Sequence, residues 1–192
     1  MYKKSLLVIF LFLSYQLMAQ EAFQFEQERL KINSYGMTVL GSWAIVNIAS
    51  GIALSVNNSN GIQKNFWQMN AMWNTVNLAL AAPGLYTALK HPEQSILWND
   101  VLKEQQFTEK IFLFNTALDV AYVTAGLWMM DRSKYVKQNN VRWKGWGQSL
   151  IVQGSFLFLF DAVMYGLHHQ HAVKKMPLLS PTPNGIGMVL SF

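Results

Sequence analysis

Two aspartates, Asp119 and Asp161, each interrupt an otherwise uncharged apolar run, and another such run carries Gln68, Asn70, Asn74 and Asn77. Carboxyls and amides in such places suit two kinds of chemistry: relaying a proton or holding a cation, or hydrogen bonding between helices. Their spacing implies convergence. Asn70, Asn74 and Asn77 are three and four residues apart, as are Asn115, Asp119 and Tyr122, while Gln153, Asp161 and His168 recur on one helical face. With Asn47 and Trp73 they make up the expected polar centre or ligand site: Asn47, Asn70, Trp73, Asn74, Asn77, Asn115, Asp119, Tyr122, Gln153 and Asp161. No Lys or Arg lies inside these runs, so the two acids are expected to share a proton and to donate hydrogen bonds. Polar glue between helices is the leading reading of these residues, and a proton relay or cation site the second.

Four histidines complete the chemically active set, with His168, His169 and His171 at the end of one run and His91 at the end of another. Imidazole ligates zinc, copper or haem iron. Neighbouring helix positions point apart, however, and no carboxylate is evident beside the triplet, so the expectation is solvated imidazoles, no metal and no cofactor. The chain has no GxxxxGK[ST], GxSxG or HExxH pattern, and no catalytic residue can be named. Cysteine is absent, which excludes disulfides, thiolate metal sites and iron–sulfur ligation.

The elements that must carry these residues follow from hydropathy. A composition 52% hydrophobic and only 13% charged leaves too little charge to cover a soluble domain of 192 residues. Runs 36–56, 66–89, 111–130 and 147–167 are uncharged or hold a single acid. At about 1.5 Å per residue each is long enough to cross a hydrocarbon core of roughly 30 Å. The second run, with its amides and Pro83, would insert poorly alone and is expected to enter as a hairpin with the first. A central Asp costs about 2.5 to 3.5 kcal/mol, which the surrounding Leu, Ile, Phe and Val can offset.

Lys3 and Lys4, the apolar stretch from Leu6 to Leu13 and small Ala19 read as a signal peptide over 1–19; Leu17, bulky for a cleavage site, keeps an uncleaved anchor as the alternative. Residues 20–35 would then be an exported amphipathic segment and 168–192 an exported tail. Arg132, Lys134, Lys137, Arg142 and Lys144 mark the loop between the third and fourth runs as cytoplasmic. Both ends of the mature chain are therefore expected outside the cytoplasm, in a multi-pass protein of a bacterial inner membrane. Trp67, Trp128, Trp143 and Trp146 form an aromatic belt on the cytoplasmic side. The loop from Lys90 to Lys110 suits a short interfacial helix around Trp98 and Val101. The net charge of +5 is concentrated at one end and in one loop, which excludes a nucleic-acid groove. The alternating residues from Ile186 to Phe192 are similar to a closing barrel strand, but apolar runs of about 20 residues exclude a barrel.

A W-x-x-V-N-[I/L]-A pattern occurs at Trp43 to Ala49 and again at Trp73 to Ala79, and the later runs offer Asp119 with Tyr122 and Asp161 with Tyr165. Each run thus carries an amide or carboxyl near mid-depth, and Asn47, Asn77, Asp119 and Asp161 are expected to form one layer. On the residues Gly41 to Asn47, Phe66 to Asn77, Leu118-Asp119 with Tyr122, and Gln153 to Asp161, the chain resembles a bacterial family of small multi-span proteins, a domain of unknown function. The resemblance covers Gly36 to about Leu167; it implies the fold and no catalytic residue. The expectation is an all-α, integral-membrane four-helix bundle preceded by a signal peptide. A binding or assembly role leads, a small transporter or ion- or proton-translocating role is the alternative, and a membrane-embedded enzyme comes third. Expected partners are the lipid bilayer and either a second copy or another membrane protein.

Overall fold

Long apolar runs give the backbone few polar partners other than itself, and this chain meets that constraint with helices. The computed structural model describes residues 2–90, 97–175, 180–182 and 185–187. The fold is all-α with four helices: α1 (Tyr2–Asn57), α2 (Gly61–Ala88), α3 (Trp98–Arg132) and α4 (Asn140–Lys175). A small antiparallel hairpin follows, β1 (Ser180–Thr182) against β2 (Gly185–Gly187), with Pro181 opposite Ile186. His91 and residues 188–192 of the alternating tail lie outside the described residues.

Local signals fix the helix ends. Asn60 caps α2, its side-chain oxygen accepting from the Ile62 and Gln63 amides at 3.0 and 3.4 Å. Asn139 adopts a left-handed φ of 61° just before α4, and the Asn140 side chain accepts from the Val141 amide.

Two antiparallel hairpins, α1 with α2 and α3 with α4, make the most extensive contacts, and they are joined mainly along α2 and α4. Around the bundle the order is therefore α1, α2, α4, α3. Glycine permits the closest approaches. A Cβ on Gly147 would lie 2.6 Å from the Gly126 carbonyl oxygen, and one on Gly145 would meet the Ile62 carbonyl at 2.5 Å. The first contact sets the α3–α4 distance and the second the α2–α4 distance.

The helices overrun the expected spans. The segment from Lys90 to Lys110 is not a loop with a separate interfacial helix: α3 begins at Trp98 and continues without a break, because Val101, Gln105, Thr108 and Phe112 repeat at helical spacing and are all buried. Likewise α4 carries the start of the expected tail as far as Lys175, and α1 passes through residues 19 to 36 without interruption.

Polarity across the bundle is inverted. Large apolar side chains face outward, among them Leu80 (64% exposed) and Leu159 (63%), while Asn74 (0%) and Gln153 (1%) are enclosed. Three helical segments, Ala19–Asn57, Trp98–Arg132 and Asn140–Lys175, are long and apolar enough to cross a membrane. In α2 the amides Gln68, Asn70, Asn74 and Asn77 dilute the apolar run.

Candidate functional site

The amides of α1, α2 and α4 meet at one point. Asn70 of α2 donates to the Asn47 side-chain oxygen of α1 at 2.6 Å, and Gln153 of α4 donates to the Asn70 oxygen and, at 3.5 Å, to that of Asn47. The Gln153 oxygen in turn accepts from the Trp43 indole N–H at 3.0 Å, and that indole stacks on Phe156 with centroids 3.9 Å apart. Ser149 adds a long contact to Asn70, 3.5 Å. Asn47 and Asn74 also return hydrogen bonds to the carbonyls of Trp43 and Asn70, each at 2.8 Å, and Asn77 donates to Asn74 at 3.2 Å. Three helices are thereby clasped through side chains that satisfy one another.

A second group joins α3 to α4. Asp119 of α3 and Asp161 of α4 are buried neighbours, and Asn115, one turn before Asp119, lies beside Asp161. Asp119 Oδ2 is buried without a protein partner, as is Trp73 Nε1, which lies in the seam where the Trp73 ring meets Tyr122 edge-on at 4.8 Å. The expected single layer of Asn47, Asn77, Asp119 and Asp161 is thus two groups: Asn47 and Asn77 belong to the amide clasp, and the acids lie beside each other. The repeated W-x-x-V-N pattern places the amides on their helices but not at one shared depth.

A third polar group lies at the far end of the bundle, where α1, α3 and α4 continue beyond α2. Arg29 forks onto Glu26, with its Nη2 2.6 Å from Glu26 Oε1 and its Nε 2.8 Å from Oε2, and donates through Nη1 to Thr108 at 3.0 Å. Gln105 donates to the His168 carbonyl at 2.8 Å, and Asn33 contacts His168 Nε2 at 2.9 Å. Sequence reading named none of Glu26, Arg29, Asn33, Gln105 or Thr108. The available signal was periodicity: Ala22, Phe25, Arg29 and Asn33 share a helical face, as do Val101, Gln105, Thr108 and Phe112.

This end corrects the reading of the histidines. His168 (0% exposed) and His171 (8%) are buried, not solvated, because α1 packs over the end of α4. Carboxylates are present after all: Glu28 lies 3.4 Å from His171, and Glu109 lies 3.4 Å from exposed His169. Burial, assisted by the charges of Arg29 and His171, pushes the His168 imidazole down from 6.5 to about 4. Burial also lowers His171, against the opposing pull of the Phe25 carbonyl and Glu28. Among the described residues, no three His, Asp or Glu side chains converge as a metal site would require.

Fold and site together define an all-α, four-helix protein with apolar side chains outside and hydrogen-bonded amides and carboxyls inside. The chain belongs to the DUF6992 family, a family of unknown function, whose pattern matches residues 39–162. That stretch includes the whole amide clasp and the carboxyl pair. No curated protein and no solved structure matches the chain.

Proposed function

We propose that this is a bacterial inner-membrane protein whose four helices all cross the bilayer, over 36–56, 66–89, 111–130 and 147–167, and that it serves as a binding or assembly scaffold held together by its polar centre. The inverted polarity carries this reading. An outward belt that includes Val46, Met72, Leu80, Phe114, Val120 and Leu159 would be an association hazard in water and is a suitable surface in lipid. The α2 helix enters because its amides face Asn47 and Gln153 instead of lipid. The ends carrying Lys64, Arg132, Lys137 and Lys144 lie together, next to Trp128 and Trp143 with centroids 5.5 Å apart and Arg142 stacked 4.2 Å over Trp146. A basic end bordered by indoles supports a cytoplasmic assignment. Residues 1–19 are a signal peptide in this reading, and both ends of the mature chain lie outside the cytoplasm.

The nearly complete hydrogen bonding of the clasp favours a scaffold over a hydrated path. Proton or cation translocation is the second reading, favoured by one observation: the neighbouring Asp119 and Asp161, with Asp119 Oδ2 lacking a protein partner. Reconstituting the protein in vesicles that enclose a pH-sensitive dye separates the two. A scaffold gives no proton flux, and Asp119→Asn and Asp161→Asn retain the fold because an amide still pairs with its neighbours. Proton flux that both variants abolish would overturn the scaffold reading.

A further inference from the structure

Helix α2 stops at Ala88, while α1 and α3 continue beyond it, which leaves a notch of about 340 Å³ between α1, the last turn of α2 and α3. This is at the small end of the range of ligand sites, about 300 to 1,000 Å³. Its lining changes character along its length. Met37, Gly84, Ile111 and the outward-facing Phe107 make one end apolar and continuous with the belt on the bundle surface. Arg29 and Glu104 occupy the other end.

Arg29 is not saturated. A guanidinium has five N–H groups, and Glu26 and Thr108 take three, leaving one on each terminal nitrogen. Two such hydrogens suit a phosphate, and the Glu104 carboxylate suits an ammonium. The polar end therefore complements a zwitterion. A net anionic head would add a charge beside Glu26 and Glu104, and a quaternary ammonium offers no N–H to Glu104.

We propose that the notch seats one phosphatidylethanolamine molecule of the surrounding bilayer. An acyl chain lies along Met37, Gly84 and Ile111, the phosphate rests on Arg29 and the primary ammonium meets Glu104. The inference depends on the membrane reading above. The level fits that reading, since the notch opens where the span 66–89 ends.

The test uses the full chain in vesicles made from equal parts phosphatidylethanolamine, phosphatidylcholine and phosphatidylglycerol, with retained lipid counted by native mass spectrometry after gentle detergent release. One phosphatidylethanolamine should remain in clear excess over the other lipids. Thr87→Trp, at an exposed position on the notch rim, should remove it. Glu104→Gln, also exposed, should keep a bound lipid but lose the headgroup preference. Inserted protein that retains no lipid, or retains lipids in the bulk ratio, overturns the lipid seat while the membrane reading stands. A chain that washes off the vesicles with carbonate overturns both.

Discussion

Asn70 and Gln153 are the two side chains through which the clasp is most exposed to damage, because each bonds partners on other helices. Gln153→Ala leaves the Trp43 indole without a partner and the Asn70 oxygen with only the long Ser149 contact, at about 1 to 3 kcal/mol for a lost partner. A lower midpoint of thermal unfolding in detergent checks this, and a midpoint equal to wild type would show that the clasp contributes little. Arg29 and Glu26 behave differently, since each variant alone strands a buried charge. Arg29→Met should cost about 3 to 5 kcal/mol, and Arg29→Met combined with Glu26→Leu should cost much less. Denaturation of the single and double variants measures the difference. At this scale the sequence was informative about type and poor about partners. Amides inside an apolar run have to face protein, so the inward direction of Asn70, Asn74 and Gln153 was legible. Which amide would meet which depended on helix order, and no residue spacing encodes that. Glu26 and Arg29 fell within a segment expected only to be amphipathic and exported, because their α3 partner Thr108 lies 79 residues beyond Arg29 in the chain.

Elements carry two further predictions. Gly126 and Gly147 let α3 and α4 touch backbone to backbone, so Gly147→Leu should force the pair apart, costing about 1 to 3 kcal/mol or more. Faster hydrogen exchange in α3 and α4, with the α1–α2 contact unchanged, would confirm that the damage is local. The outer ends of α1, α3 and α4 should loosen in acid. His168 titrates near 6.5 when released and near 4 when packed, so the packed end binds fewer protons. Its stability is complete above about 6.5, falls as the pH drops from there to about 4, and changes no further below, with opening about tenfold easier per pH unit in that window. His171 is shifted in the same direction, while Glu28, Glu109, Arg29 and Lys175 are the charged groups around the two rings. Hydrogen exchange of residues 22–33 and 168–172 at several pH values checks this, and His168→Phe should flatten the response. The helices themselves were legible from hydropathy, but their ends were not. Charged residues beyond the apolar runs suggested loops, whereas Gln105, Thr108 and His168 continue the helical face and find partners there.

For the whole molecule, the arrangement of α2 beside α4 has a consequence for how the chain comes together. Most of the contact between the first half and the second passes through that seam, sealed at its centre by Asn70 with Gln153 and at one end by Gly145, with smaller contacts from α1 to α3 and α4. Each half is a complete antiparallel hairpin with its own short turn, so the polypeptide can be cut between α2 and α3 without dividing either. On the proposed membrane reading, two separately translated halves, 1–90 and 97–192, should find each other and copurify, and Gln153→Leu should weaken the pairing without preventing either half from inserting. Until they dock, Gln153 of α4 lacks its Asn70, Asn47 and Trp43 partners, and the Asn70 oxygen lacks its donors from α4, while the other α2 amides are already paired within the first hairpin. The seam is then a recognition device as well as a joint: α4 brings Gln153 and Ser149, α2 brings the Asn70 oxygen, and the hydrogen bonds left unmet in each hairpin are completed by its counterpart.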